Sequence, residues 1–215
     1  MNESLHNEST ANVTSPGGRG NDKCQRVAGA ISRALFLPPW IWLKRFRKRC
    51  GYGVHSPYAF DFITQVIYER GQYYAYKELD ELHPWYVRRF HLRPRKLLRL
   101  LFRVVNFSEA RHAVFLGGDA LALAYLRAAV PKAEWMTEIK EGQDDVDFLY
   151  IGTKLPDASG LPKAKVIVVE GLRQNASLWK SLLTHPHTTL SFDLYDVGIV
   201  MQGLKLNKKD YVVNF

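Results

Sequence analysis

Between Ala113 and Leu126 the chain reads Ala-Val-Phe-Leu-Gly-Gly-Asp-Ala-Leu-Ala-Leu-Ala-Tyr-Leu. An apolar run, two glycines and then alanine and leucine at helical spacing predict a buried strand, a tight turn and a helix folded back on that strand. Glycine at the turn tolerates left-handed backbone and lets another group approach the main chain closely. That is the local architecture of an α/β protein with a nucleotide-type cofactor at the end of its first strand.

The residues after it keep the same rhythm. Ala113 to Leu116 is a strand, Ala120 to Ala129 a helix, Trp135 to Thr137 a short strand and Phe148 to Ile151 another. Val166 to Val169 is an unbroken β-branched run, as in a parallel strand covered on both faces. Ala176 to Leu183 is helical, and Thr188 to Phe192, Val197 to Met201 and Tyr211 to Phe215 are strands that close the chain, antiparallel at one edge. The fold class expected is α/β: a Rossmann-like, mostly parallel sheet with an antiparallel C-terminal edge, truncated, with helices on its N-terminal side.

Those helices lie in residues 27–108, before a sheet domain spanning 109–215. Ser56 is placed as an N-cap with Pro57 at the first helical position, and this helix should end near Gly71. A short helix over Lys77 to Leu82 is closed by Pro84. A third runs from about Arg95 to Phe107, its leucines and valines buried and Lys96, Arg99 and Arg103 on one face. Residues 1–26 are polar, and Met1 to Asp22 in particular cannot offset the entropy of ordering by burying surface, so a disordered tail is expected.

Net charge is +9, which invites an anionic partner. Lys44, Arg45, Arg47, Lys48 and Arg49 form one basic cluster, and Arg88, Arg89, Arg93, Arg95, Lys96, Arg99 and Arg103 another. Phe36, Trp40 and Trp42 beside the first cluster suit an anionic membrane surface, or else a helix packed on the domain with a solvated basic end. Arg33 and Pro38-Pro39 break the apolar stretch below the roughly 20 residues a spanning helix needs. The second cluster suits phosphate, as in nucleic acid, or is simply a solvated face. Two isolated cysteines, Cys24 and Cys50, point to a reducing, cytoplasmic setting, peripheral to the inner membrane if the basic aromatic stretch anchors there.

Several segments in order carry a resemblance: Gly53-Val54-His55-Ser56-Pro57-Tyr58-Ala59-Phe60, then Tyr73-Tyr74-Ala75-Tyr76, the Gly117 turn, Val166-Ile167-Val168-Val169, the Trp179 helix, and Leu190 through Val200. From about Arg47 to Phe215 the chain resembles a bacterial group of class I S-adenosylmethionine-dependent methyltransferases. The resemblance implies methyl transfer, with Gly117, Gly118 and Asp119 along the methionine and ribose part of S-adenosylmethionine. Glu138 would be the acid on the ribose hydroxyls, since a carboxylate accepts two hydrogen bonds from a diol. On the substrate side it implies His55, Tyr58 and Glu170.

The chain departs from that pattern in places that matter to chemistry. Phe115 stands where the family carries an acid, and Leu121 where a later glycine is expected and a branched side chain would crowd the cofactor. Glu138 to Phe148 is too short for the helix, strand and helix that complete one half of the sheet, as a single crossover needs about a dozen residues. Phe148 to Ile151 ends in Gly152-Thr153 instead of Asp-Gly, and Glu170-Gly171 retains one carboxylate of a pair, a poor metal site. The sequence therefore implies a methyltransferase-like protein with catalysis weakened or lost, or a non-catalytic binding module with a basic aromatic surface. Its substrate is unknown.

Overall fold

The computed structural model describes Leu43, Arg45, Gly51 and residues 53–90, 95–139 and 145–215. The polar tail, the Phe36, Trp40 and Trp42 cluster, most of the Lys44 to Arg49 run, both cysteines and Arg93 lie outside the described residues.

The described chain forms helix α1 (Pro57–Phe62) continued by a π turn (Ile63–Ile67), α2 (Tyr76–Phe90), α3 (Arg95–Ser108), β1 (His112–Leu116), α4 (Ala120–Ala129), β2 (Glu134–Met136), β3 (Val146–Ile151), β4 (Ala164–Glu170), α5 (Ala176–Thr184), β5 (Thr188–Asp193), β6 (Val197–Gln202) and β7 (Lys209–Val212). The strands make one sheet in the order β2-β1-β3-β4-β6-β5-β7. Its β2-β1-β3-β4 half is parallel. The antiparallel C-terminal part is made by β6, which opposes both β4 and β5. This is the α/β, Rossmann-like architecture that the alternating apolar runs imply.

Successive strand residues point to opposite faces, so the sheet divides its side chains between two cores. Ala113, Phe115, Phe148, Tyr150, Val166 and Val168 face the core shared with α1, the π turn, α3 and α4. Val114, Leu149, Ile151, Ile167 and Val169 face a second core closed by Leu172, Leu178 and Leu182. The N-terminal helices thus share a core with the sheet. Gly198 lets α5 approach β6, because a Cβ there would run into the Trp179 ring and come within 2.8 Å of Leu172 Cδ2.

Three local expectations change. The short helix closed by Pro84 is instead α2, which runs through Pro84 to Phe90. Proline removes one N–H bond from a helix interior, and here packing outweighs it: Asp80, one turn earlier, accepts from Tyr125 of α4 at 2.7 Å and pairs with Arg99 of α3. The first helix begins as predicted, with Ala59 N–H donating to Ser56 Oγ at 3.4 Å, but it passes into the π turn after Phe62. The last strand is Lys209–Val212 and pairs parallel to β5; the loop after β6 carries the chain back across the β5–β6 hairpin before it joins that edge.

Candidate functional site

Between β1 and β3 the connections part. After β1 the chain turns into α4, on the face shared with α3, whereas Leu155, Ala158 and Leu161 of the β3–β4 loop pack on the opposite core. Strand order places β2 and β3 on either side of β1. A crevice beyond the carboxyl ends of two such strands is where ligands bind in open α/β sheets.

A cleft of about 470 Å³ lies there, lined by Leu116, Gly117, Thr137, Glu138, Ile139 and residues of the β3–β4 loop, among them Thr153, Leu155 and Asp157. Gly117 and Glu138, assigned to one cofactor from separate segments, do meet in this cleft. Glu138 is exposed. Asp157 is a second carboxylate on the wall, and among the described residues no cationic side chain lines it. Such a lining suits hydroxyl groups or a positively charged ligand better than a phosphate.

The turn itself is packed from below. Gly117 and Gly118 have φ of 67° and 122°, backbone that side chains rarely adopt. A Cβ on Gly117 would lie 2.8 Å from Thr153 Cβ, and one on Gly118 would lie 2.8 Å from Phe115 Cζ and 2.9 Å from Tyr150 Cε1. Gly152 presses from the other loop: its Cβ would meet Gly117 O at 2.8 Å, and its N–H donates to Leu116 O at 2.9 Å. The space these glycines clear is filled by the protein's own atoms.

Asp119 caps α4, accepting from Ala122 N–H at 2.7 Å. Leu121, expected to crowd a cofactor at this position, does not line the cleft. It has no exposed surface and faces the helical core, because the helix turns it away from the loop. Phe115 is also buried, stacked on Tyr150 with centroids 4.8 Å apart. The strand register sets Phe115 beside Tyr150, which puts both rings on one face.

His55, Tyr58 and Glu170 do not line the cleft. His55 is exposed at the start of α1. The Tyr58 ring meets Phe107 of α3 edge-on at 6.2 Å, and burial raises its hydroxyl pKa. Glu170 ends β4 with 7% of its surface exposed.

Asn175 is a structural clamp that the sequence did not single out. Buried to 3% exposure, it accepts from Leu155 N–H at 3.0 Å and donates Nδ2–H to Glu170 O at 2.9 Å and Thr153 O at 3.3 Å. One amide thus fixes the β3–β4 loop, and with it one wall of the cleft. A lone asparagine ahead of a helix reads as an ordinary cap, so only the contact across the loop reveals this role.

Among the described residues no group of three or more His, Cys, Asp or Glu side chains is placed to hold a metal ion, and no helix is long and apolar enough to cross a membrane. No family model matches the chain, and no curated protein does.

Proposed function

We propose that this chain is a methyltransferase-like protein in which methyl transfer has been lost, leaving a Rossmann-like scaffold that serves as a binding module in a cytoplasmic setting. One observation carries the reading. Phe115, at the place of an expected acid, stacks on Tyr150 directly beneath Gly118, so an aromatic pair fills the space that a cofactor-gripping turn would keep for its ligand. The end of β3 supports it, since Gly152-Thr153 supplies no carboxylate. S-adenosylmethionine would supply an activated methyl group if it bound. Here Gly117 and Glu138 alone of the assigned cofactor residues face the cleft, while Asp119 holds the helix start. This supports the reading that the groups for grip and proton removal are incomplete.

Calorimetric titration tests this reading. The expected result is no saturable heat with S-adenosylmethionine or its demethylated product at millimolar ligand. Submillimolar binding of either, abolished by Glu138→Ala, would sink the proposal and restore the enzyme reading.

A further inference from the structure

A second cleft lies between the end of the π turn and the face of α3, and its volume is about 380 Å³. Five cationic side chains line it, Arg70, Arg95, Lys96, Arg99 and Arg103, against one acidic side chain, Glu69, with Phe215, the last residue of the sequence, also on the wall. Arg95, Arg99 and Arg103 recur every four residues, so α3 presents them as a ladder along one face. The face is solvated at its Arg95 and Lys96 end, but Arg103 is only 6% exposed.

What holds Arg103 there is backbone, together with the Tyr76 side chain, and not an acid. Its Nε–H donates to Val66 O at 2.6 Å and an Nη2–H to Ile67 O at 3.0 Å, the carbonyls at the end of the π turn. Burying an arginine without a carboxylate keeps its charge uncompensated in a poorly hydrated place. Asp80 pairs with Arg99 and, at 3.4 Å, with Arg95, whereas no ion pair among the described residues includes Arg70 or Arg103. Glu69 accepts from Gly71 N–H, so its carboxylate is engaged by backbone. The Phe215 ring, 3.9 Å from Lys96 Nζ, forms an apolar wall. Positive charge therefore converges on an open cleft whose most buried cation is already fixed in position. Guanidinium groups match phosphate oxygens in geometry and charge.

We infer that this cleft binds a phosphate-bearing ligand, with Arg103 and Arg99 at its base and Arg70 and Lys96 at its mouth. The inference goes beyond the reading of the first cleft and stands without it. The ligand's phosphate belongs either to a soluble compound or to a lipid headgroup.

The test uses the full chain with two probes, inorganic pyrophosphate by calorimetry and phosphatidic acid vesicles by co-sedimentation, on Arg70→Ala, Lys96→Ala and Lys205→Ala. Arg70 and Lys96 are exposed, and Lys205 is an exposed cation in the β6–β7 loop, so none of these changes disturbs the core. Saturable pyrophosphate binding, weakened about tenfold by Arg70→Ala or Lys96→Ala through loss of a charge-assisted bond and unchanged in Lys205→Ala, supports a soluble ligand. The same pattern with vesicles alone supports a lipid phosphate. Absence of binding to both probes overturns the inference. So does binding that the three variants weaken equally with a steep salt dependence, which marks a diffuse polyanion surface such as one for nucleic acid.

Discussion

Phe115 and Tyr150 lie face to face, 4.8 Å apart and within 5° of parallel, and Gly118 rests on the edge of that stack. The pair joins β1 to β3 where their connections diverge. It makes the glycine turn a packed joint, and that has consequences for stability as well as for ligands.

Gly118→Ala should destabilise the fold by about 2–3 kcal/mol, because the new methyl meets both rings and φ is left-handed. Gly160 has φ of 74° but open space around it. Gly160→Ala should therefore cost only the backbone strain, about 1 kcal/mol. Urea unfolding of both variants checks this; equal midpoints would mean that the aromatic pair yields freely and is no barrier to a ligand.

Asn175→Ala should remove three hydrogen bonds and leave buried backbone groups unmatched, at a cost of about 2–4 kcal/mol. The effect should be local first. Hydrogen exchange at Leu155 should accelerate while amides in β4 stay protected. Unchanged protection at Leu155 would show that the loop is held by its apolar contacts and not by this amide.

Two carboxyl groups should give opposite pH signatures. Burial raises the Asp147 pKa, but the Lys165 ammonium at 2.7 Å and the His112 and Arg111 amides outweigh it and bring the value down to about 2. A depressed value contributes stability that is present above the unfolded carboxyl range, near 3.8, and lost as pH falls through about 2. Asp147→Asn should thus cost about 1–2 kcal/mol at pH 7 and little at pH 2. Asp196 is the reverse case. Burial dominates over the attraction of Arg173 and Arg45, with Asp193 adding repulsion, and raises its pKa to about 6. The folded state then keeps a proton that the unfolded chain has released, so stability declines as pH rises from about 4 to 6. Asp196→Asn should stabilise the protein above pH 6, by about 1 kcal/mol after allowance for solvent screening of a half-buried group, and be neutral below pH 4. Denaturant midpoints across this range decide both, and parallel curves for the two variants would contradict the assignment.

From residues 113–126 and the runs after them, the order of strands and helices followed directly, because a buried strand must be apolar and a helix must show its 3.6-residue period. The Ser56 cap, the glycine turn and the α/β class rest on such local rules and were legible in the chain alone. Whether a glycine clears space for a ligand or for a neighbour is a different matter. Gly118 rests on Tyr150, 32 positions away as the numbering runs, and no local pattern encodes that contact. The same holds for Arg103, whose spacing assigned it to a basic face while two carbonyls of the π turn drew it inward. Periodicity determined which side of α3 carries charge. Only tertiary packing decided that this side closes over a cleft, because burial depends on which surfaces the sheet brings together.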